Sequence, residues 1–492
     1  MEIKPNWLDR FAMSVSPKWG ESRLRARYLA RHYEAASTGR RTSNWNRSVA
    51  DANSAISPAL ISLRAHARDL VRNNGWARNG LRVIVDNTVG WGITAKPATP
   101  NPAAAAAWKR WAESTECDSE GRLNFYGIQK LAMRTTVESG EVLIRRRFRR
   151  AEDGLSIPLQ LQILEPDYLD KWQDLRTGIA GGPIVQGVEY DKLGRRAAYW
   201  LFDSHPGSSS IAAGVSRRIP ASEVIHHFFP DRPGQVRGVT WFAPAIVNIK
   251  DFDEFEDADL IRAKIAACFA AFVTSVDGSD VSLSEQSADD PLVETLEPGL
   301  VSYLKPGQEV QFSAPPIAND NGFTARKLRR IAVSLGVTYE DLTGDYSQVN
   351  FSSARMSRIR HWAHVDDWRY NMVIPQLCDP VWNWAMNAAS LAGIIDEAPA
   401  AEWTAPPMPM LEPDREGLAY TRLIRGGLMT PSEAVRERGY DPDTHWDEYA
   451  ADLQKLDSLK IWLDSDVRRT SQAGLTQERV GMAKDEQEQA EE

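Results

Sequence analysis

Apolar residues recur every three or four positions over long stretches of this chain, a spacing that predicts amphipathic helices. The longest stretch covers residues 241–273, and thirty-odd residues at about 1.5 Å each would span roughly 50 Å. A second long helix is predicted over 355–387, with a kink or break near Pro375. Shorter helices are predicted over residues 103–113, 125–137 and 325–335.

Short β-prone runs replace the helical pattern between residues 155 and 230. They lie at 159–164, 184–190, 198–202 and 224–229, and turns containing Gly or Pro separate them. The pattern predicts a β-rich insertion. In the last run, His226 and His227 must point to opposite faces of a strand, because successive side chains alternate. A metal site there is disfavoured, since no further ligand lies at a suitable spacing.

A polar loop interrupts the helices near residue 343. The helix predicted at 325–335 stops at Gly336, a natural C-terminal residue. Residues 343–353 then consist largely of Gly, Asp, Ser, Gln and Asn, and a new amphipathic helix leaves from Ser352 or Ser353. A small-residue, polar segment between two strong helices predicts a mobile loop on a rigid support.

Length and charge narrow the possible classes of protein. The 492 residues suffice for two to four folded units. Residues 1–150 carry 26 basic and 13 acidic side chains, a balance of +13, whereas the remaining 342 residues carry −22. A protein that binds nucleic acid tightly is usually basic overall, so this acidic chain is not expected to bind DNA tightly over its whole surface. No apolar stretch approaches the roughly 20 residues of a membrane span. The N-terminus lacks the apolar core of a signal peptide, so we expect the newly made protein to be in the cytoplasm.

Motifs for catalysis and cofactor binding do not stand out. The chain has no phosphate-binding Gly-x4-Gly-Lys-Ser/Thr loop, no Gly-x-Ser-x-Gly and no His-Glu-x-x-His. Its three cysteines show no metal-binding spacing. His361, His364, Asp366 and Asp367 form a weak pattern for a metal site. We therefore expect no catalytic residues, no metal and no cofactor.

Several blocks of sequence resemble the lambda-type portal proteins of tailed phages. The most informative is LGVTYEDLTGDYSQVNFSSAR at 335–355, which is similar to the family's tunnel loop and the segment before it. Three further segments resemble the family: the block at 69–90 with its Val-Arg-Asn-Asn-Gly run, the turn at 231–238 and the C-terminal segment 411–440. Along the chain, the blocks occur in the order that the family shows. The specificity of the resemblance comes from their co-occurrence, because none is a catalytic motif.

The resemblance implies an α+β, mainly helical portal fold with wing, stem, clip and crown regions, assembling as a ring. It leads to the following expected division: a flexible basic arm (1–50), the helical part of the wing (51–154), a β-rich candidate clip (155–238), a stem helix (239–275), the second part of the wing (276–341), the tunnel loop (342–354), a long helix (355–396), a Pro-rich linker (397–412), a helical crown (413–471) and an acidic disordered tail (472–492).

The same resemblance suggests which residues face DNA. The tunnel loop would present Thr343, Asp345, Tyr346, Ser347, Gln348, Asn350 and Ser352. The stem helix would line the channel with Asp251, Asp253, Glu254, Glu256, Asp257 and Asp259, whose charge would repel DNA and keep it sliding. Arg145, Arg147 and Arg149 could contact phosphate, although a solvated or subunit-interface role is the favoured interpretation.

The implied function is a portal: a channel at one capsid vertex through which double-stranded DNA is packaged and ejected. Expected partners are further copies of the chain in a ring of about twelve (a family expectation), non-specifically bound double-stranded DNA, the large terminase subunit, a head-completion or tail connector protein, and the major capsid and scaffold proteins. The resemblance also implies that the protein assembles in the host cytoplasm and becomes part of the virion. Two alternatives stay open, a non-portal adaptor of the head–tail junction and a metal-dependent nuclease or hydrolase using residues 361–367.

Overall fold

The computed structural model describes residues 7–19, 49–210, 214–267, 271–275, 308–312 and 322–461, together with Leu463, Asp466 and Arg468. The chain divides into two units, Met1–Pro58 and Ala59–Glu492. The first contains helices α1 (Trp7–Val15) and α2 (Ala52–Ile56), so part of the predicted flexible arm is helical. The predicted acidic tail at 472–492 lies outside the described residues.

The second unit begins with two helices joined by one residue. Helix α3 (Leu60–Asn73) ends at Asn74, whose side chain accepts a hydrogen bond from the Ala77 amide and so starts α4 (Gly75–Thr88). Asparagine serves here because its short side chain can bond an otherwise unpaired amide of the first turn. Residues near 75 therefore end one helix and begin the next.

A tryptophan-rich core lies behind these helices. Helices α5 (Pro102–Glu113) and α6 (Phe125–Ser139) bring Trp108 and Phe125 together, with ring centroids 5.3 Å apart. The Trp382 ring packs against Trp108 with its plane tilted by 53° and the ring centroids 4.8 Å apart. Strand β1 (Thr94–Pro97) pairs antiparallel with a strand at Ala401–Thr404, labelled β11 because nine strands intervene. The predicted Pro-rich linker at 397–412 is thus tied to the core by this pair.

The β-rich region is not a separate module. Strand β2 (Glu141–Phe148) lies between β3 (Leu159–Leu164) and β8 (Val224–Phe228) in one antiparallel sheet. The boundary predicted between residues 154 and 155 therefore cuts through a sheet. A second, four-stranded antiparallel sheet contains, in order, β4 (Gly181–Val185), β5 (Val188–Asp191), β6 (Arg196–Leu201) and β7 (Arg217–Pro220).

The predicted long stem helix is shorter than expected. Helix α7 covers Ile246–Ala267, 22 residues or about 33 Å. Phe272, which lies within the range predicted for this helix, is instead part of strand β9 (Ala271–Ser275), which pairs antiparallel with β10 (Gln308–Phe312). The run Phe-Val-Thr favours a strand because aromatic and β-branched side chains fit a pleated surface. Cys268 lies outside the described residues.

The polar loop is bounded by helices. Helix α8 (Phe323–Leu335) ends at Gly336, α9 (Tyr339–Thr343) follows, and α10 (Phe351–Trp368) comes after the loop. A π-helix (Arg369–Cys378) containing Pro375 joins α10 to α11 (Asp379–Leu391), so the expected break is a change of helix type. Helices α12 (Pro413–Arg425), α13 (Pro431–Glu437) and α14 (Pro442–Ser458) follow.

Within the described part of the chain, no helix has the length and apolar character that a bilayer span requires.

Candidate channel loop and its supports

The polar loop is shorter than predicted and is held at both ends by local caps. Gly344 ends α9 with a φ of 70° and donates its amide to the Glu340 carbonyl at 2.7 Å. Asn350 begins α10, because its side chain accepts from the Ser353 amide at 2.9 Å. Thr343 therefore belongs to α9 and Ser352 to α10, although both were expected in the loop. The segment between the caps is five residues long, 345–349.

Side chains of the loop point to solvent. Asp345, Tyr346, Ser347 and Gln348 are exposed, and Tyr346 has 59% of its surface free. Asp345 folds the loop on itself, since its carboxylate accepts from the Ser347 amide at 3.0 Å. Hydrogen bonds from the Ser347 side chain and then its backbone lower the pKa of Asp345. The loop thus presents a negative charge and several neutral polar groups.

Helix α9, the support below the loop, is fastened to α4. The Asn79 side-chain amide donates to the carbonyl oxygens of Asp341 at 2.9 Å and of Leu342 at 2.8 Å. These are carbonyls at a helix C-terminus, which have no partner inside the helix. Leu342 itself is buried. Gly80 lets helix α8 pack close to α4, because a Cβ at position 80 would lie only 2.6 Å from the Leu335 side chain.

A histidine completes the support from the other side of the loop. His361 of α10 is buried, and its Nδ1 lies 3.2 Å from the Gly336 carbonyl oxygen. Its Nε2 lies 3.3 Å from the Asn87 side-chain nitrogen. An Nδ1–H tautomer satisfies both contacts, since Nδ1 then donates and Nε2 accepts. Burial lowers the pKa of His361, which favours this neutral form.

The weak metal pattern at 361–367 does not form a site. His361 is used in the contacts just described, His364 stacks on Trp368, and Asp367 accepts from the Asn371 side chain at 2.6 Å. Among the described residues, the groups close enough to share an ion are Glu165, Asp167 and His205. Arg68 already lies 2.6 Å from Asp167 and 3.0 Å from Glu165, so these carboxylates have a cationic partner.

The acids of α7 point in several directions. The Asn74 side chain donates to Asp253 at 3.1 Å, and the Trp76 indole donates to Glu256 at 3.4 Å, which ties these two acids to the α3–α4 junction. Asp259 pairs with Arg262. The remaining predicted acids, Asp251, Glu254 and Asp257, are exposed. The six side chains therefore do not form a single face.

The arginines of β2 are partly used inside the sheet. Arg149 donates to the Gln160 side chain at 2.7 Å. Burial, followed by the charge of the neighbouring Arg147, lowers the pKa of Arg145. Arg146 stacks over the Phe148 ring at 4.7 Å. Phosphate contact by Arg145, Arg147 and Arg149 stays a prediction.

Sequence reasoning missed a buried ionic cluster at Glu141. Its carboxylate is fully buried and contacts Arg237 at 2.6 Å, His226 at 2.8 Å and Arg64 at 3.0 Å. The Gly238 amide also donates to it at 2.7 Å. Burial alone would raise the pKa of Glu141, but Arg237, His226 and Arg64 together outweigh burial and hold that pKa well below its usual range.

The protonation of His226 follows from its neighbours. Arg196 donates to its Nδ1 at 3.0 Å, so Nε2 carries the proton given to Glu141 and the ring is neutral. Burial lowers the pKa of His226 to about 4, although the Glu141 carboxylate opposes this. The available signal was the 231–238 block, where Arg237 and Gly238 both bond Glu141. That Arg64 also bonds Glu141 could not be read from spacing.

Known proteins with similar sequences are portal proteins of phages. Residues 38–369 match the family model "Phage portal protein, lambda family". The chain is 28% identical over 466 residues to the "Probable portal protein" of Halomonas phage phiHAP-1, covering 88% of each protein. It is 26% identical over 386 residues to "Portal protein B" of Escherichia phage lambda, covering 68% of this chain and 70% of that protein.

Among solved structures, a chain in the neck of a native gene transfer agent particle is similar, with 14% identity and a TM-score of 0.46 over 78% of this chain and 94% of the other. The family model covers well over half of the sequence, and it spans the loop, α7 and the Glu141 cluster. The chain therefore belongs to the lambda family of phage portal proteins.

Proposed function

We propose that this chain is one subunit of a ring, of about twelve copies, whose central channel carries double-stranded DNA past the loop at 345–349. The observation that carries the proposal is the loop itself, which is exposed and polar and stands on supports fixed by Asn79 and His361. Family membership favours this role over that of a non-portal adaptor. His361, His364 and Asp367 contact other groups and are not gathered into one site, so these contacts give no support to the nuclease alternative.

The loop acts passively in this proposal. Its hydroxyl and amide groups offer weak, exchangeable contacts to the DNA backbone and read no base sequence. The charge of Asp345 disfavours close approach of phosphate. Each lysine in its place would add a salt-sensitive phosphate contact and slow the passage of DNA.

Acidic side chains of α7 extend the same logic along the channel. Asp253 and Glu256 bond to the α3–α4 junction, and the Glu254 carboxylate lies 3.7 Å from the Lys250 ammonium, so Asp251 and Asp257 are the acids best placed to repel DNA. Non-specific DNA contact is the only nucleic-acid interaction proposed.

Docking of partners belongs to the same proposal. The large terminase subunit, a head-completion or tail connector protein, and the capsid and scaffold proteins would bind the ring, which assembles in the host cytoplasm before it joins the virion. The candidate clip at 155–238 shares a sheet with the rest of the unit. The β9–β10 pair is an alternative docking element, because it lies between the end of α7 and the start of α8.

The test is the double variant Asp345→Lys/Gln348→Lys in packaging reactions reconstituted with the assembled portal. We expect rings of normal mass and packaging that is at least several-fold slower, with the defect partly relieved at higher salt. The matched control is Asp414→Lys/Asp447→Lys, which changes exposed residues outside the loop. Normal packaging by the loop variant in intact rings would contradict a loop that faces DNA.

A further inference from the structure

Helix α7 carries a stripe of side chains that stay exposed among the described residues of the chain. The stripe follows a three–four spacing, with apolar residues at its ends and, between them, Lys250 followed by two acids; the Lys250 ammonium lies 3.7 Å from the Glu254 carboxylate. Val247 is 68% exposed and Ile261 is 57% exposed. Its members are Val247, Lys250, Glu254, Asp257 and Ile261. We call it the α7 stripe.

The opposite side of α7 packs into the protein. Ile249 and Phe252 are fully buried there. A helix that faces only solvent on its second side would be expected to carry polar residues alone at that side. Protein–protein contacts match charged groups on one surface with opposite charges on the other, so the charges of this side help to identify its partner.

Helix α8 carries a second stripe of opposite charge. Arg326, Arg330 and Val333 follow a four–three spacing and are exposed, and Val333 has 80% of its surface free. The other side of α8 is buried through Leu328 and Ile331. We call the exposed residues the α8 stripe.

Within one chain, α7 and α8 contact each other near the start of α8. The Phe255 and Phe323 rings lie 4.7 Å apart there. Arg330 and Val333 lie two to three turns further along α8 and stay exposed despite this contact.

We propose that the α7 stripe of one subunit docks against the α8 stripe of a second copy of this chain. The charges are complementary, with Glu254 and Asp257 facing Arg326 and Arg330, and each stripe offers an exposed aliphatic side chain to the other. Two different surfaces of one chain that fit each other form a head-to-tail contact, and such contacts generate closed rings. The inference rests on the proposed ring and names the surfaces that close it.

This contact also divides the acidic residues of α7 by role. Glu254 and Asp257 belong to the subunit interface, while Asp253 and Glu256 hold the α3–α4 junction of their own chain. Asp251 is then the exposed acid left to face the channel. Five of the six acids that one stretch of sequence grouped together thus serve three different surfaces, and the sixth, Asp259, pairs with Arg262 of its own helix.

Charge reversal tests the interface. The variants Glu254→Arg/Asp257→Arg and Arg326→Glu/Arg330→Glu each place like charges opposite one another, so we expect each to lower the ring fraction at least tenfold. The variant that combines all four changes swaps both charges and is expected to restore rings. An equimolar mixture of the two double variants is also expected to form rings, because each contact then joins opposite charges.

The readout is mass by analytical ultracentrifugation and negative-stain imaging, with circular dichroism to confirm folding. Asp447→Arg/Glu448→Arg on exposed positions of α14 is the matched control and should assemble like wild type. If both double variants form rings as the wild type does, the proposed interface is wrong. It is also wrong if the double variants fold but form no rings either when mixed or when their changes are combined in one chain. A wild-type chain that stays monomeric would instead overturn the proposed ring.

Discussion

At the residue scale, Glu141 is where side chains from four parts of the chain meet. Its carboxylate lies in the sheet strand β2, and it binds Arg64 of α3, His226 of β8 and Arg237 of the turn before α7. Such a cluster is costly to desolvate and stable only when every member has its partner. Glu141 thereby joins α3 to the sheet and to the chain entering α7.

Replacing Glu141 with Gln should therefore destabilise the fold strongly. The change leaves Arg237 buried without its counter-charge and leaves Arg64 with Asp167, at 3.3 Å, as its remaining carboxylate partner. Breaking a buried pair costs about 3–5 kcal/mol. The midpoint of urea unfolding measures the loss. Glu165→Gln is the matched control, because Glu165 is half exposed and its pair with Arg68 should contribute no more than about 1 kcal/mol. Equal effects of the two changes would contradict a structural role for the cluster.

His361 should make the support of the loop sensitive to acid. Its pKa is lowered by burial, so it stabilises the fold above the unfolded-state pKa of about 6.5, and this contribution is lost as pH falls below that value. Its charged neighbours are Asp341, His364 and Arg358. We expect the stability difference between wild type and His361→Gln to shrink from pH 7.5 to 5.5. A difference that is constant over this range would contradict the prediction.

At the scale of elements, α9 depends on a side chain from another helix. Asn79→Ala removes both hydrogen bonds to the carbonyls of Asp341 and Leu342 and should cost about 1–3 kcal/mol locally. Hydrogen exchange in residues 338–349 should rise, while exchange in α6 stays unchanged. The control is Asn73→Ala, whose side chain makes only an exposed bond to Asp69 among the contacts described. No change in exchange around α9 would show that the loop has another support.

Elements that local signals define were predictable. The start of α4 follows from Asn74 and the end of α8 follows from Gly336, because each cap acts within three or four residues. The start of α10 was predicted at Ser352 or Ser353, whereas Asn350 caps the helix and it begins at Phe351. The end of α7 was not predictable in this way. The same apolar spacing continues past Ala267, and pairing with β10, more than 30 positions further on, accompanies the strand at 271–275.

At the scale of the whole molecule, membership of the portal family and the exposed stripes of α7 and α8 both lead to an assembly of many copies. We expect the purified chain to form a ring of about twelve times 55.0 kDa. Native mass spectrometry checks the mass, and negative-stain images check for a central channel. A stable monomer at micromolar concentration would contradict the proposed ring.

The sequence by itself determined the mainly helical character, the polar loop and the family, because each depends on local periodicity, local capping or ordered blocks of residues. Tertiary structure alone decided that β2 lies between β3 and β8, that the acids of α7 point to different surfaces, and that Glu141 meets its partners. Those partners are 77, 85 and 96 positions away in the chain. Ionic contacts over such separations follow no periodicity, so only the folded backbone brings them within hydrogen-bonding distance.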